Sequence, residues 1–112
     1  MRTLSRTLND LILVVEDTLT RPARYQTIVA DRKFPDLAAE IRVFDAKPAE
    51  HARCTNAAMA IVHLLEAFYA SDCEATSPWL SAVGAALPLL RTEAWQALRN
   101  EKAQSAPEEY RR

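Results

Sequence analysis

The chain is 112 residues long, close to the commonest size of a single domain, so it has room for one hydrophobic core. Hydrophobic residues make up 49% of it and charged residues 26%, which is typical of folded globular proteins and excludes a disordered composition. The formal net charge of −1 comes from 14 Lys and Arg against 15 Asp and Glu, interleaved along the chain. This balance argues against nonspecific nucleic-acid binding, which needs a basic face to replace phosphate counterions.

The longest apolar run near the start of the chain covers only the segment from Leu11 to Val15. A membrane span needs about 20 apolar residues and the apolar core of a signal peptide about 7–15, so we expect a cytoplasmic protein. Two cysteines, Cys54 and Cys73, are too few for a disulfide framework, and we expect both to remain thiols. The richness in Ala, Leu and Arg suggests a bacterial gene of high GC content.

The first predicted element is an amphipathic helix from about Thr3 to Thr20. Its apolar residues recur on one face at helical spacing, namely Leu4, Leu8, Leu11, Ile12, Val15 and Leu19. Leu13 and Val14 fall outside this face. We therefore predict that Leu13 and Val14 contribute to a partner-binding surface, with a merely exposed leucine as the alternative for Leu13.

The segment 23–33 fits an alternating strand and a helical turn equally well, so its form is left open. A short second helix is predicted to begin with Pro35, because proline is favoured at the first helical position. The apolar residues of this helix recur at helical spacing and are Leu37, Ile41 and Phe44.

A third helix, from Ala49 to about Ser71, is predicted to be the long central helix of the fold. Its apolar face comprises Cys54, Ala58, Ile61, Val62, Leu65, Phe68 and Tyr69. Met59 and Leu64 lie on its flanks, so the helix is apolar over more of its girth than one neighbour would cover. We interpret Met59, Leu64 and Phe68 as a homodimer interface, since symmetric dimers are the commonest oligomers.

A fourth helix is predicted to start with Ser77 as its N-cap and Pro78 as its first residue. Its apolar residues are Trp79, Leu80, Val83, Leu87 and Leu90, with Trp95 and Leu98 continuing the same face. Gly84 and Pro88 predict a kink or split near residues 86–88. Because the opening turn of a helix readily presents side chains to a neighbour, we assign Trp79 and Leu80 to the partner-binding surface as well.

These elements predict an all-α fold, a small bundle of about four to five helices around one long central helix, which assembles as a dimer. Residues 1–103 form a single helical domain in this prediction. Residues 104–112 have no apolar periodicity and are expected to form a flexible C-terminal tail.

Catalytic and cofactor signatures are sparse in this sequence. A single glycine cannot build a phosphate-binding loop, and no Ser-His-Asp or Cys-His grouping has a recognisable local pattern. Four potential zinc ligands are His51, Cys54, His63 and Cys73, but their spacing matches no ligand pattern and Cys54 falls on the core face. We therefore predict no catalytic residue, no metal, no cofactor, and a protein that is not an enzyme.

The order and the residue composition of the segments resemble those of a known family. A leading amphipathic helix is followed by the alanine-rich stretch NAAMAIVHLLEAFYASD and the closing stretch SPWLSAVGAALPLLRTEAW. This layout resembles the small helical quorum-sensing anti-activators of pseudomonads, the QslA-like proteins. The resemblance spans most of the chain and rests on chain length, helix order and the residue composition of the helices. It implies a negative regulator that binds a LuxR-type transcription factor and blocks the dimerisation and DNA binding of that factor.

Two other classes of function remain open at this point. A helical DNA-associated transcriptional regulator would place one short helix in a major groove, although no basic recognition face is evident in the sequence. A small metal-dependent or thiol enzyme would depend on the four potential zinc ligands. The sequence favours a protein partner over both.

Overall fold

The computed structural model describes residues 3–20, 34–46, 54–71 and 76–105, with side chains described as far as residue 103. Within these ranges the chain forms four α-helices and no strand, which confirms the predicted all-α class. The helices are α1 (Leu4–Thr20), α2 (Phe34–Asp45), α3 (Asn56–Ala70) and α4 (Pro78–Ser105). The predictions for residues 23–33 and for most of the C-terminal tail lie outside the described residues.

The starts of α2 and α4 follow the sequence signals closely. Helix α2 begins one residue before Pro35, and α4 begins at Pro78. The Ser77 side chain caps α4, because its hydroxyl oxygen accepts a hydrogen bond of 3.2 Å from the backbone N–H of Trp79. The described residues between α3 and α4, namely Ser71, Thr76 and Ser77, are not helical.

Two predicted boundaries are wrong. Helix α3 begins at Asn56, and the residues immediately before it, Cys54 and Thr55, are not α-helical, so α3 has 15 residues and is not the longest helix. Helix α4 has 28 residues and continues unbroken through Pro88, so the predicted split does not occur. The apolar residues on both sides of Pro88, such as Leu87 and Leu90, are buried, and this packing holds the two halves of the helix together.

The four helices form a closed ring of neighbours in the described structure. Helices α1 and α3 each pack against both α2 and α4. Ser5, at the start of α1, bonds to Glu101 near the end of α4, and the ring of Phe34 at the start of α2 lies 5.2 Å from that of Tyr69 near the end of α3. Thr18 also bonds to Tyr69, so α1 and α3 end at the same level. Neighbouring helices therefore run antiparallel, as in an up-down-up-down bundle.

Three residues that the sequence assigned to interfaces are buried within the single chain. Val14 is 4% exposed because it lies two turns from Thr7 on the side of α1 that faces α2, where the Thr7 hydroxyl donates a hydrogen bond to Glu40. Phe68 and Leu80 pack against each other at the end of the bundle where α4 begins. The predictions that Val14 and Leu80 bind a partner and that Phe68 forms a dimer interface are therefore not supported.

The wide apolar girth of α3 is covered by its own neighbours in the chain. Met59 lies two turns before Glu66, which bonds to Arg42 of α2, whereas Leu64 lies two turns after Ala57, which bonds to Glu93 of α4. Both apolar side chains are half-buried and pack on the core. They consequently lie on opposite flanks of α3 and do not form one outward face. None of the described helices combines the length and apolar character needed to cross a bilayer.

Two carboxylates of α4 cap the N-termini of the helices on either side. Glu93 accepts hydrogen bonds of 2.8 and 3.0 Å from the backbone N–H groups of Ala57 and Ala58, in the first turn of α3. The residue before α3, Thr55, makes no side-chain cap of its own. Glu101 accepts a bond of 2.9 Å from the N–H of Ser5, in the first turn of α1. The first turn of a helix has unsatisfied donors and a positive dipole end, so an anion is stabilising there.

Replacing Glu93 with Ala should lower the free energy of unfolding by about 1–3 kcal/mol, because the N–H groups at the start of α3 would lose their acceptor. Chemical denaturation measures this loss. The matched control is the same substitution at Glu66, a partly exposed residue whose surface ion pair with Arg42 should be worth at most about 1 kcal/mol. Equal losses in the two variants would contradict the capping role.

The stability that Glu93 contributes should also depend on pH. Burial raises the pKa of Glu93 above its ordinary value of 4.5, against the opposing effect of the N–H groups of Ala57, Ala58 and Asn56. The folded chain therefore binds this proton more tightly than the unfolded chain, so the part of the stabilisation that comes from protonation is complete below the ordinary pKa and is lost as pH rises through the raised pKa, while the hydrogen bonds to Ala57 and Ala58 remain. In urea titrations from acidic to mildly basic pH, the difference in unfolding free energy between the wild type and Glu93→Ala should narrow. A difference that widens would contradict this assignment.

Candidate protein-binding surface

Large hydrophobic side chains remain exposed at six positions of the described structure. They are Leu13, Val43, Trp79, Leu89, Trp95 and Leu98. Four of the six belong to α4, so this helix is amphipathic toward the core and also partly apolar on its outside. Single exposed apolar residues are ordinary, whereas a contiguous group marks a binding surface. The relative positions of these side chains decide whether they are isolated exposed residues or a contiguous surface.

Two contacts fix how α1 and α4 lie against each other. At one end Ser5 bonds to Glu101, and toward the other end Arg91 donates a hydrogen bond of 3.0 Å to Glu16. Because the helices are antiparallel and rise equally per residue, the positions between these contacts can be matched one to one. Leu13 consequently lies level with the turn of α4 that contains Trp95.

Trp95 and Leu98 lie on the side of α4 that borders α1. They follow Arg91 at i+4 and i+7, and residues at these spacings share one helix face. Leu13 points outward from α1, away from the core, with 60% of its surface exposed, and Trp95 is 59% exposed. We call these three exposed residues of the neighbouring helices α1 and α4, namely Leu13, Trp95 and Leu98, the seam surface.

Trp95 is held in place although it is exposed. The guanidinium of Arg99, one turn further along α4, lies over the Trp95 ring at 4.7 Å from the ring centroid. This cation–π contact orients the ring and lowers the entropy that binding would cost. Tryptophan is also the residue type most enriched at the energetic centres of protein interfaces. Trp95 is therefore an exposed but oriented aromatic ring.

Charges of opposite sign lie along the two edges of the seam surface. On α1, Asp10 and Asp17 precede and follow Leu13 by about one turn and Arg6 precedes it by two turns, so this edge carries two acidic residues against one basic residue. Arg99 and Lys102 follow Trp95 on α4 at i+4 and i+7, which makes that edge basic. The surface therefore has an apolar middle and one edge of each sign.

The predicted partner-binding residues do not all fall together. Leu13 is exposed, as predicted, and Trp79 in the first turn of α4 is 44% exposed. Trp79 and Trp95 are separated along α4 by about 24 Å at 1.5 Å per residue, so Trp79 is not part of the seam surface. Whether Trp79 contacts a partner remains a prediction.

Trp95 and Leu98 continue the apolar pattern of the last helix in the sequence, yet both side chains are exposed in the structure. The structure instead buries Leu90, Ala94 and Ala97, which recur at i, i+4 and i+7. Alanine is only weakly hydrophobic, so Ala94 and Ala97 contribute little to the apolar pattern. The larger Trp95 and Leu98 dominate that pattern and shift the expected face toward themselves. The spacing of Leu90, Ala94 and Ala97 is the signal in the sequence that indicates exposure of Trp95 and Leu98.

The potential metal and thiol residues do not form a site in the described structure. Cys54 is buried, and burial, followed by the charges of Glu93 and Glu101, raises the pKa of its thiol. A raised pKa favours the neutral thiol over the thiolate that binds metals. His63 is exposed on α3 beside Glu66, and no group of three or more His, Cys, Asp or Glu in the described ranges is placed to hold a metal. His51 and Cys73 lie outside the described residues.

Comparison with known proteins adds no relative: no family model matches the chain, and no curated protein or solved structure is detectably similar to it. The seam surface is consequently interpreted from its own geometry and charge.

Proposed function

We propose that this protein acts by binding another protein through the seam surface. The observation that supports this most strongly is the exposed Trp95 ring, which is stacked by Arg99 and level with the exposed Leu13 on the neighbouring helix. Burying a large apolar side chain contributes roughly 1.5–3 kcal/mol, so covering Leu13, Trp95 and Leu98 would supply a substantial binding energy. A rigid two-helix face also loses little entropy on binding.

We further propose that the partner is a LuxR-type transcription factor and that the protein is its negative regulator. This part of the proposal comes from the resemblance of the whole chain to the quorum-sensing anti-activators. In this mechanism, the bound protein competes with self-association of the factor, which then cannot engage promoter DNA as a dimer. The protein itself contacts no nucleic acid, needs no cofactor, and acts in the cytoplasm as a homodimer.

Replacing Leu13 with Glu should reduce partner binding sharply while the fold stays intact. An exposed helix position tolerates such a change within about 0.5 kcal/mol, so the helical circular-dichroism signal and the melting temperature should stay close to those of the wild type. Calorimetric titration against the purified ligand-binding domain of a LuxR-type factor measures the affinity. An unfolded variant would refute the exposure of Leu13.

Leu89 supplies a matched control for this experiment. It is 63% exposed and lies one turn before Glu93, on the side of α4 that borders α3. Leu89→Glu therefore makes the same chemical change at an equally exposed leucine outside the seam surface, and it should leave the affinity unchanged. If Leu13→Glu and Leu89→Glu have equal effects, the seam surface is not the binding site. If the wild type binds no LuxR-type domain, the proposed partner is wrong.

The same proposal predicts that the protein does not shift duplex DNA. Among the described residues, the basic edge of the seam surface faces an acidic edge on α1, so no broad basic face is available for phosphate contacts. Electrophoretic mobility shifts with genomic fragments at low salt should therefore stay blank. A shift at ~50 mM salt that disappears by ~200 mM salt would indicate phosphate contacts and would favour a DNA-associated regulator.

A further inference from the structure

We propose that α2 opens as a unit while the other three helices stay folded, and that the groove it leaves between α1 and α3 accepts an amphipathic helix of a partner protein. This groove lies on the side of α1 that faces α2, whereas the seam surface belongs to α1 and α4. The inference is therefore independent of binding at the seam surface.

Helices α1, α3 and α4 are aligned by hydrogen bonds in which α2 takes no part. Glu101 of α4 accepts a bond from Ser5 of α1, and Glu93 of α4 accepts bonds from the start of α3. The hydroxyl groups of Thr18 and Tyr69 lie 2.8 Å apart and connect α1 directly to α3. The alignment of these three helices therefore does not require α2.

Helix α2 is held less strongly than the other three. It is the shortest of the described helices, with 12 residues, and it makes fewer contacts with α1 and α3 than α4 does. In its middle, Glu40 accepts a bond of 3.0 Å from Thr7 of α1, and Arg42 donates one of 2.7 Å to Glu66 of α3. The pair of Arg42 and Glu66 lies on the surface, where ion pairs contribute little to stability. We therefore expect α2 to open at a lower free energy than the whole chain unfolds.

The polar groups that α2 leaves behind can still be satisfied. The hydroxyl of Thr7 also donates a bond of 3.1 Å to the carbonyl of Thr3 in its own helix, and Glu66 is already partly exposed to water. Thr55, whose hydroxyl donates to Asp45 at the end of α2, must take water as its acceptor instead. The cost of opening therefore comes mainly from uncovering apolar side chains.

The groove under α2 has apolar walls. Leu11 lies one turn after Thr7 on α1, and Val62 lies one turn before Glu66 on α3, so both share the helix faces that border α2. Both side chains are completely buried in the described structure. Opening of α2 uncovers this apolar surface, which then favours a replacement for α2.

Helix α2 itself defines the replacement, because it fills the groove in the described structure. Its buried side chains recur at i, i+3, i+4, i+7 and i+10, the spacing by which an amphipathic helix binds in a groove, and they are Phe34, Leu37, Ala38, Ile41 and Phe44. Glu40 and Arg42 flank Ile41 and bond to opposite walls of the groove. A partner helix therefore needs the same apolar spacing, with an acidic residue directly before the fourth apolar position and a basic residue directly after it.

Native-state hydrogen exchange of the full chain tests the opening. The amide of Ile41 in α2 should exchange at least about tenfold faster than that of Leu90 in α4. Ala85→Gly, at an exposed position of α4, should speed exchange of Leu90 by about fivefold, because glycine weakens a helix that unfolds only with the whole chain. Exchange of Ile41 should not change, since α4 stays folded when α2 opens. The matched change in α2, Ala39→Gly, should speed exchange of Ile41 by about fivefold.

A labelled peptide of residues 34–45 serves as the probe for the groove. Fluorescence anisotropy should show that it binds the full chain, and Ala39→Gly in the chain should strengthen the apparent affinity by about fivefold, because the open form is more populated. Ala85→Gly and Leu13→Glu should leave this affinity unchanged, and the second of these variants separates the groove from the seam surface. A peptide with Ile41→Glu should bind at least about tenfold more weakly, since it would bring a carboxylate into the apolar groove.

Three outcomes would overturn the inference. If Ala85→Gly speeds exchange of Ile41 as much as that of Leu90, α2 opens only when the whole chain unfolds. If the peptide does not bind the Ala39→Gly chain at about 1 mM, where even weak specific binding is measurable, the groove does not accept a helix. Equal binding of the peptides with and without Ile41→Glu would place the binding outside the groove.

Discussion

The N-termini of α1 and α3 lie at the same end of the bundle, and their unsatisfied backbone donors must find acceptors there. Helix α4 supplies both acceptors, because Glu101 bonds to Ser5 and Glu93 bonds to Ala57 and Ala58. The two carboxylates therefore set the position of α4 against each of its neighbours. These few hydrogen bonds position the whole of α4, and α4 extends along the entire bundle.

The register set by these carboxylates also creates the seam surface. Glu101 fixes one end of α1 against α4, and the exposed ion pair between Glu16 and Arg91 lies toward the other end. An exposed ion pair contributes little stability, so the buried end carries most of the alignment. With this alignment, Leu13 and Trp95 lie at about the same level of the bundle although 82 positions of sequence separate them. The same helix thus contributes Leu90, Ala94 and Ala97 to the core on one side and leaves Trp95 exposed on the other.

Much of the fold could be predicted from the sequence, because helix starts and apolar spacing are local signals. Pro35, Ser77 and Pro78 correctly marked helix starts, and the apolar face of α1 was mostly recognised. What a helix packs against is a tertiary property, so Val14 was expected to be exposed although α2 covers it. Capping of α3 by Glu93 joins residues far apart in the chain and leaves no local trace.

The seam surface was only half predictable for the same reason. Leu13 was singled out because it opposes the buried face of its own helix. The sequence pattern did not separate Trp95 from the buried residues of its helix, because large apolar residues dominate a helical pattern and the alanines that actually pack, Ala94 and Ala97, contribute little to it. Their small side chains allow close packing of α4, which leaves the bulky neighbour on the outside.

The fluorescence of Trp95 tests most directly whether the seam surface binds protein. In a Trp79→Phe variant, Trp95 is the only tryptophan, and its emission reports the exposure of the ring to water. The seam surface should be uncovered in dilute protein, so the emission should be that of an exposed indole. It should shift to shorter wavelength as a LuxR-type ligand-binding domain is added. Emission that stays unchanged while sedimentation shows a complex would contradict the assignment of this surface.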